Sequence, residues 1–341
     1  MSNKPKILLI YTGGTIGMVK DYKTGALKAF NFDKLLKNIP ELQLLECEIS
    51  TASFKEPIDS SNMNPEYWIE LCTLIEEAYE HYNGFVVLHG SDTMSYTASA
   101  LSFMLENLGK PVIFTGSQLP IGDLRTDAKE NLITAVQLAA LTKRGKPVLQ
   151  EVGLYFEYKL YRANRTTKLS AEHFEAFDSP NYPCLVTSGV HLTINDEVLL
   201  RPGRKAFKVH KRLVRDILLL KMHPGIPENM VTAMLAIPNI KGVILETYGS
   251  GNTTTKPWFI DAIKSILRSG IPVVNVTQCI SGSVQMGNYE TSVALKKAGV
   301  ISGKDLTTEA AIVKMMYLLG QELGPKVFRS VYETALRGEL S

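Results

Sequence analysis

Short apolar runs alternate with amphipathic stretches along most of this chain. Several runs lie next to glycine or proline, which is typical of buried strands, whereas the amphipathic stretches repeat apolar residues at helical spacing. The runs are Ile7–Tyr11, Phe85–Leu88, Val112–Thr115, Gly153–Phe156, Ile217–Leu220, Val243–Leu245 and Val273–Val276. Strands that alternate with helices form parallel sheets, so this pattern predicts an α/β fold.

Three helices are predicted between the first strands. The first begins after Asn64, a favourable N-cap, with Pro65 at the first helical position. Its apolar face comprises Trp68, Leu71, Cys72, Ile75 and Tyr79. The second is predicted from Ser95 to about Asn107 and the third from Ala128 to about Thr142, and a helical C-terminal end is predicted around residues 306–336.

A change of composition divides the chain in its middle. Pro202-Gly203 lies among the basic residues Arg201, Arg204, Lys205, Lys208, Lys211, Arg212 and Arg215. A nucleic-acid contact is the alternative interpretation, but no series of aromatic side chains interleaves these charges for base stacking, so a solvated linker is favoured. A chain of 341 residues is long for one core. We predict a larger, mostly parallel N-terminal α/β domain (1–195), a linker (196–216) and a smaller C-terminal α/β domain (217–341).

Composition and charge argue against several classes of protein. The formal net charge is +3 and no apolar run reaches membrane-spanning length, so we expect neither a nucleic-acid partner nor a membrane. The cysteines form no Cys-x-x-Cys pair, which argues against a zinc knuckle or a redox dithiol. The apolar run Ile7–Tyr11 is too short for a secretory signal, and we therefore expect a cytoplasmic protein.

Two of the runs lead into loops rich in glycine and hydroxyl groups. Ile7–Tyr11 leads into Thr12-Gly13-Gly14-Thr15-Ile16-Gly17, and Phe85–Leu88 leads into His89-Gly90-Ser91-Asp92-Thr93-Met94. The carboxyl ends of parallel strands meet at one edge of a sheet, where small ligands bind. The glycines match neither common nucleotide-binding pattern, and hydroxyls beside backbone N–H groups suit acyl transfer. We predict one active site formed by both loops.

A hydroxyl nucleophile needs a base, and two side chains are candidates. Asp92 adjoins Ser91, and Lys168 ends the polar segment Asn164-Arg165-Thr166-Thr167-Lys168. Desolvation would make Lys168 a proton acceptor, but for a single lysine the sequence alone favours the alternative, exposure to solvent. His89 is interpreted as structural, because close neighbours on an extended segment point to opposite faces. Asp59-Ser60-Ser61 either supplies donors to a substrate carboxylate or simply leads into the first helix.

Taken together, the motifs resemble those of the bacterial-type L-asparaginase family, and most closely its cytoplasmic type I branch. The resemblance runs over essentially the whole chain. It rests on Tyr-Thr-Gly-Gly-Thr-Ile-Gly (11–17), Asp-Ser-Ser-Asn-Met (59–63), Leu-His-Gly-Ser-Asp-Thr-Met (88–94), Thr-Gly-Ser-Gln (115–118), Asn-Arg-Thr-Thr-Lys (164–168), Tyr-Gly-Ser-Gly-Asn (248–252) and Leu-Arg-Gly-Glu-Leu (336–340).

The resemblance implies hydrolysis of L-asparagine to L-aspartate and ammonia, without a metal ion or cofactor. It implies that Thr15 is the nucleophile that forms a β-aspartyl intermediate, and that Ser91, Asp92 and Lys168 support proton transfer, the attacking water and the oxyanion. Asp92 is also expected to bind the α-ammonium group of the substrate. The expected substrate-binding residues are Asp59, Ser60, Ser61, Ser91, Asp92 and Asn252. Asn252 resembles a residue contributed across a subunit interface, which implies a homodimer or a homotetramer.

The chain departs from the family pattern at two places. Ser91 stands where the family has Thr; the hydroxyl is kept, but the methyl group that restricts its rotamer is gone. The family's mobile lid carries a Gly-Tyr pair, and Gly25-Ala26 stands here instead. Tyr22 is the nearest candidate for the missing lid tyrosine.

Three alternatives to an asparaginase follow from the sequence. The first is preferential action on glutamine, since one methylene changes discrimination only modestly. The second is the amidase-like subunit of a tRNA-dependent amidotransferase, which the basic 201–215 segment suggests. Family members of that kind carry an added N-terminal domain, which we do not expect because the first motif begins at Tyr11. The third is a catalytically silent ligand sensor, which the missing lid tyrosine suggests.

Overall fold

A computed structural model describes residues 4–20, 27–29, 39–201, 203, 205–287 and 290–341. The chain folds into two compact units, Met1–Lys211 and Arg212–Ser341. The division falls inside the segment predicted as a linker, and the domain limits 1–195 and 217–341 stay predictions. Tyr22 and Gly25-Ala26 lie outside the described residues.

The first unit contains sixteen strands, half of them in one large sheet, and three α-helices, counted over the described residues. The strands are β1 (Lys6–Gly13), β2 (Met18–Lys20), β3 (Leu27–Ala29), β4 (Glu48–Ile58), β5 (Gly84–Leu88), β6 (Leu105–Glu106), β7 (Val112–Thr115), β8 (Thr142–Lys143), β9 (Lys146–Pro147), β10 (Val152–Phe156), β11 (Lys159–Arg162), β12 (Thr167–Lys168), β13 (Phe177–Asp178), β14 (Val186–Ser188), β15 (Leu192–Ile194) and β16 (Lys208–Val209). The helices are α1 (Pro65–Ala78), α2 (Met94–Met104) and α3 (Ala128–Ala140).

The large sheet has eight strands in the order β15-β14-β11-β10-β7-β5-β1-β4. The five strands from β10 to β4 are parallel, whereas β11, β14 and β15 run antiparallel to their neighbours. Both faces are covered: Leu9 of β1 clusters with Leu132 and Val136 of α3, while Leu8 and Ile10, which the pleat directs to the other face, are also buried. This confirms the mostly parallel α/β fold predicted for the N-terminal part.

Helix α1 forms as its sequence predicts. The Asn64 side chain accepts hydrogen bonds from the backbone N–H groups of Glu66 (3.0 Å) and Tyr67 (3.4 Å), and Pro65 begins the helix. Its buried residues, together with the adjoining Tyr79, are those of the predicted apolar face: Trp68, Leu71, Cys72, Ile75 and Tyr79.

The other two predicted helices also form, and each ends two or three residues before its approximate predicted limit. Helix α2 stops at Met104, not at Asn107, because Leu105 and Glu106 pair with Lys208 and Val209 in a two-stranded sheet. Helix α3 stops at Ala140, since the next residues form a β8–β9 hairpin. In both places the residues that could continue the helix pair as a strand instead.

Several side chains of the basic 201–215 segment make contacts within their own unit. Phe207 stacks on Tyr79 with ring centroids 3.8 Å apart. Three cations pair with carboxylates: Arg201 with Asp196 (3.5 Å), Lys211 with Glu76 (2.6 Å) and Arg212 with Glu322. Pro202 and Arg204 lie outside the described residues. These contacts favour a connecting segment over a nucleic-acid surface.

The second unit is built on a four-stranded parallel sheet in the order β17-β18-β19-β20. Its strands are β17 (Ile217–Lys221), β18 (Gly242–Thr247), β19 (Val273–Thr277) and β20 (Ile301–Ser302). Its helices are α4 (Glu228–Leu235), α5 (Pro257–Arg268), α6 (Glu290–Ala298), α7 (Thr308–Gly320) and α8 (Pro325–Tyr332). The predicted C-terminal α/β fold and its helical end are thus confirmed. No helix in the described part of the chain is long and apolar enough to cross a bilayer.

A fully buried ion pair anchors the C-terminal segment to α7. Lys314 and Glu339 both have exposed side-chain fractions of 0% and lie in direct contact. Lys314 also donates to the carbonyl of Thr334 (2.7 Å), and the Glu339 carboxylate accepts from the backbone N–H groups of Leu336 (3.0 Å) and Arg337 (2.7 Å). The C-terminal Leu-Arg-Gly-Glu-Leu motif therefore has a structural role.

Replacing Glu339 by alanine is expected to destabilise the second unit strongly. The substitution leaves a buried ammonium group without its partner, which costs about 3–5 kcal/mol of unfolding free energy. Urea denaturation of the full chain measures the change. Asp261→Ala is the matched control, because the Asp261–Lys264 pair (3.6 Å) is exposed, with side-chain fractions of 69% and 44%, and its loss costs less than about 1 kcal/mol. Equal effects of the two variants would contradict this account of the motif.

Candidate functional site

The loop after β1 and the loop after β5 touch through their backbones. Gly14 has a φ of 89°, which favours glycine, and a Cβ placed there would lie 2.4 Å from the N atom of Gly90. A Cβ on Gly90 would lie 2.5 Å from the Oγ atom of Ser60. Thr15 follows Gly14 and Ser91 follows Gly90. The three hydroxyl-bearing residues therefore gather where β1, β4 and β5 end, at one edge of the sheet.

The two threonines of the first loop have different environments. Thr12 is 1% exposed, and its Oγ1 donates to the carbonyl of Leu88 (3.0 Å) at the end of β5. Its hydroxyl thus ties β1 to β5. Thr15 begins a short 3-10 turn that ends at Gly17, and it is only half-buried. Of the two threonines, Thr15 is therefore the more exposed.

Lys168 contacts both polar side chains of the second loop. Its Nζ atom lies 2.8 Å from Oγ of Ser91 and 2.7 Å from Oδ1 of Asp92. The lysine side chain is 17% exposed and that of Asp92 is 67% exposed. Lys168 reaches this position from β12, where it pairs with Phe177. The structure therefore brings together Ser91, Asp92 and Lys168, and the solvent-exposed alternative for Lys168 is wrong.

Hydrogen-bond directions around Ser91 follow from the Gln118 amide. The Nε2 atom of Gln118 donates to the carbonyl of His173 (3.0 Å), so Oε1 is the atom facing Ser91, at 3.2 Å from its Oγ. An amide oxygen only accepts; hence the Ser91 hydroxyl donates to it and accepts from Lys168. Lys168 therefore donates to both Ser91 and Asp92. Gln118 belongs to the Thr-Gly-Ser-Gln motif, but the sequence does not show that its side chain contacts Ser91.

The loop that carries Gln118 is itself held by a buried carboxylate. Asp127, before α3, accepts from the backbone N–H groups of Gln118 (2.9 Å) and Leu119 (3.1 Å). Burial raises the pKa of Asp127, although these donors act in the opposite direction. Asn131 adds a bond from Nδ2 to the carbonyl of Gly116 (3.0 Å). The amide facing Ser91 is thus positioned by α3.

The Asp59-Ser60-Ser61 segment forms a capped turn beside the two loops. Asp59 accepts from both the N–H and the Oγ of Ser61, each at 2.8 Å, and the backbone donor is the main reason that its pKa is lowered. Ser60 is 5% exposed, and its carbonyl accepts from Oγ1 of Thr93 (2.7 Å). Asp59 therefore stabilises the turn, while Ser60 and Ser61 line it.

Asn252 belongs to the second unit. It lies in a turn after β18, where its N–H donates to the carbonyl of Tyr248 (2.8 Å) and its carbonyl accepts from the N–H of Tyr248 (2.9 Å). Asn275 of β19 supports the turn by donating from Nδ2 to the carbonyl of Gly251 (3.1 Å). The turn is thus well fixed within its own unit. Among the described residues, no group of three or more His, Cys, Asp or Glu residues is placed to hold a metal ion.

His89 does not form a Ser-His-Asp arrangement. It is fully buried, and its Nδ1 atom lies 2.7 Å from the carbonyl oxygen of Gly90, whereas the Ser91 hydroxyl bonds to Gln118 and Lys168. Burial lowers the pKa of His89 from 6.5 to about 4. The ring is therefore neutral at pH 7.

This neutral ring predicts a specific loss of stability in acid. Because the folded-state pKa lies below the unfolded value of 6.5, the unfolded chain binds the proton first as the pH falls. The stabilisation is complete above about pH 6.5 and disappears towards pH 4, a change of about 3 kcal/mol. Measured against a His89→Asn variant, the unfolding free energy of the wild type should fall over this window. A constant difference between the two proteins would contradict the assignment.

Comparisons with known proteins agree with this architecture. Two family models match consecutive parts of the chain, "Asparaginase, N-terminal" at residues 6–200 and "Glutaminase/Asparaginase C-terminal domain" at residues 216–332. The chain is 43% identical over 339 residues to L-asparaginase 1 of Escherichia coli, covering 99% of this chain and 98% of that protein.

Solved structures give the same result. The crystal structure of L-asparaginase I from Vibrio cholerae superposes with a TM-score of 0.91 at 40% identity, covering 99% of this chain and all of the other. A structure from Campylobacter jejuni, named "Probable Cytoplasmic L-asparaginase", gives a TM-score of 0.79 at 25% identity and covers 97% of this chain. With both family models matched and full-length relatives at this identity, the chain belongs to the asparaginase family.

Proposed function

We propose that this protein hydrolyses L-asparagine to L-aspartate and ammonia through an acyl-enzyme intermediate on Thr15. The observation that carries the proposal is the contact of Lys168 with Ser91 and Asp92 in a loop packed against the Thr15 loop. An activated hydroxyl, a neighbouring proton-transfer group and a carboxylate for an ammonium group are the parts that this reaction needs. The named L-asparaginases of E. coli and V. cholerae support the choice of substrate.

The proposed reaction has two steps. In the first, the Thr15 oxygen attacks the side-chain carbonyl carbon of asparagine, the C–N bond breaks, and the proton of the hydroxyl leaves with ammonia. In the second, water attacks the resulting ester, which returns the proton to Thr15 and releases aspartate. Asp92 binds the α-ammonium group, and Ser60 and Ser61 hold the α-carboxylate. Neither step, as proposed, uses a metal ion or an organic cofactor.

The direct test is product formation by the purified protein. With L-asparagine we expect equal amounts of ammonia and L-aspartate, and with L-glutamine a slower reaction, since one added methylene in a fitted pocket costs roughly 10–200-fold. Faster release from glutamine would make the protein a glutaminase. Asparagine binding without any ammonia would reject hydrolysis and favour a ligand sensor.

We further propose a homodimer or homotetramer whose active sites use Asn252 from a neighbouring subunit. The position of Asn252 in a fixed turn, and its match to the family motif, support this. Thr15→Ala and Asn252→Ala should each be inactive alone. Co-expressed, they should form mixed dimers that contain one intact site and regain activity. Mixed dimers without activity would place Asn252 in its own subunit's site, and an Asn252→Ala variant that is active alone would place it outside the site.

A cytoplasmic location is proposed on the basis of the Campylobacter relative, whose name includes that location. Fractionation of cells that express the untagged protein tests it. Recovery with periplasmic markers would contradict it.

A further inference from the structure

His89 lies at the point where β5 leaves the sheet and the Ser91 loop begins. Its exposed fraction is 0%. Its backbone N–H donates to the carbonyl of Thr115 (2.9 Å), which continues the pairing of β5 with β7, and its ring lies 6.0 Å from that of Phe114. The residue is therefore rigidly held by the sheet, directly before Gly90 and Ser91.

The contact of the ring with Gly90 fixes the position of its proton. The Gly90 carbonyl oxygen, 2.7 Å from Nδ1, is only an acceptor, so the hydrogen of the neutral ring is on Nδ1. In the described part of the chain, the buried Nε2 atom has no hydrogen-bond partner. A buried polar atom without a partner is unfavourable, and an apolar side chain of similar size would avoid it. The feature that the imidazole supplies here, and that an apolar side chain lacks, is the Nδ1–H bond to Gly90.

The bond from His89 Nδ1–H to the Gly90 carbonyl holds a peptide group that has little room to move. The Gly90 backbone is wedged between Gly14 and Ser60, as the short distances to a Cβ at Gly90 and Gly14 show. The described residues include no cis peptide bond, so the carbonyl of Gly90 and the N–H of Ser91 point in opposite directions. With the carbonyl held by the buried ring, the Ser91 N–H is directed away from the core.

We propose that His89 is a positioning residue for the reaction: its Nδ1–H bond to the Gly90 carbonyl fixes the rotation of the 90–91 peptide, and thereby the direction in which Ser91 presents its N–H and its hydroxyl to the substrate. The inference rests on the proposed asparaginase function. Loss of the bond allows the peptide to rotate while the three loops remain packed. Substrate binding through Asp92 and Ser60 is then largely kept, whereas the reacting geometry is lost.

Two amide substitutions at position 89 distinguish the effect of losing the hydrogen bond from the effect of losing the volume of the ring. The side-chain nitrogen of His89→Asn is two bonds beyond Cβ, like Nδ1, whereas that of His89→Gln is three bonds beyond it, like Nε2. We expect His89→Asn to rescue kcat to within about fivefold of wild type, and His89→Gln to lower kcat by roughly 10²-fold with KM changed by less than about threefold. Phe114→Leu is the control, because it disturbs packing on the ring without touching the bond, and should lower Tm but not kcat selectively.

Equal losses of kcat in both amide variants, or full activity of His89→Gln, would overturn the proposal. A measurement without catalysis complements these rates: the tautomer of His89 in wild-type protein labelled with 15N-histidine, read from long-range proton–nitrogen correlations at pH 7. A neutral ring protonated at Nδ1 is expected, and protonation at Nε2 would overturn the proposal even if a variant fails to fold. If the wild type releases no ammonia, the proposed function fails, while the tautomer still decides whether the bond exists.

Discussion

Thr15→Ala is expected to lower ammonia release from L-asparagine by at least about 10⁴-fold, the scale on which removal of a nucleophile acts. The half-buried hydroxyl of Thr15 begins the turn after Gly14, beside the loop of Ser91 and Lys168. Because alanine keeps the Cβ and removes only the reacting group and a methyl, the fold should persist. Steady-state kinetics together with a thermal melt measure both effects.

Thr12→Val is the matched control for that experiment. It also removes a threonine hydroxyl, three residues earlier, but this hydroxyl donates to the Leu88 carbonyl inside the sheet. Loss of such a buried bond should lower stability by about 1–3 kcal/mol and leave far more activity than Thr15→Ala does. If Thr15→Ala keeps more than about 1% of kcat, a level well above what removal of a nucleophile leaves, Thr15 is not the nucleophile. An equally inactive Thr12→Val would contradict the different roles given to the two hydroxyls.

Lys168→Met is expected to lower kcat by about 10²–10⁴-fold, the usual contribution of a positioned proton-transfer group. Methionine retains most of the side-chain volume but lacks the Nζ atom that lies 2.8 Å from Ser91 Oγ and 2.7 Å from Asp92 Oδ1. Asp92 is left unpaired yet is 67% exposed, so water solvates it and the stability cost is small. KM should also rise, because Asp92, the carboxylate proposed to bind the α-ammonium group, loses its orientation.

Lys159→Met, an exposed lysine at the start of β11, serves as the control and should behave like wild type. A Lys168→Met enzyme with kcat within about threefold of wild type, far short of a proton-transfer effect, would remove Lys168 from proton transfer. The Ser91–Lys168 contact would then be structural.

The sequence predicted the parts of the fold that depend on local pattern. The buried strands β1, β5 and β7 are short apolar runs, and α1 has a favourable cap and a clear apolar face. Strand β4 was missed because most of its residues are half-buried or exposed, as expected for the edge of a sheet, and no apolar run marks it. The early end of α2 could not be predicted, since the residues that pair with β6 lie about a hundred positions away, in β16.

The candidate site likewise has residues that the sequence predicts and contacts that it does not. Ser91, Asp92 and Lys168 were found from their chemistry and their family motifs, but their distances depend on the β12–β13 pairing that turns Lys168 towards Ser91. The role of Gln118 was not predicted, because a bond to Ser91 links two loops that no local pattern connects. The sequence likewise could not distinguish Thr12 from Thr15, because the difference depends on the position of the Leu88 carbonyl that accepts from Thr12.

The most direct test of the account is a crystal structure of the wild-type protein with L-aspartate bound. The account predicts the side-chain carboxyl carbon of the ligand within about 3–3.5 Å of Oγ1 of Thr15, the distance of a near-attack arrangement, with its α-ammonium group on Asp92. A ligand whose side-chain carboxyl carbon lies instead against Oγ of Ser91, with Thr15 out of reach, would contradict it.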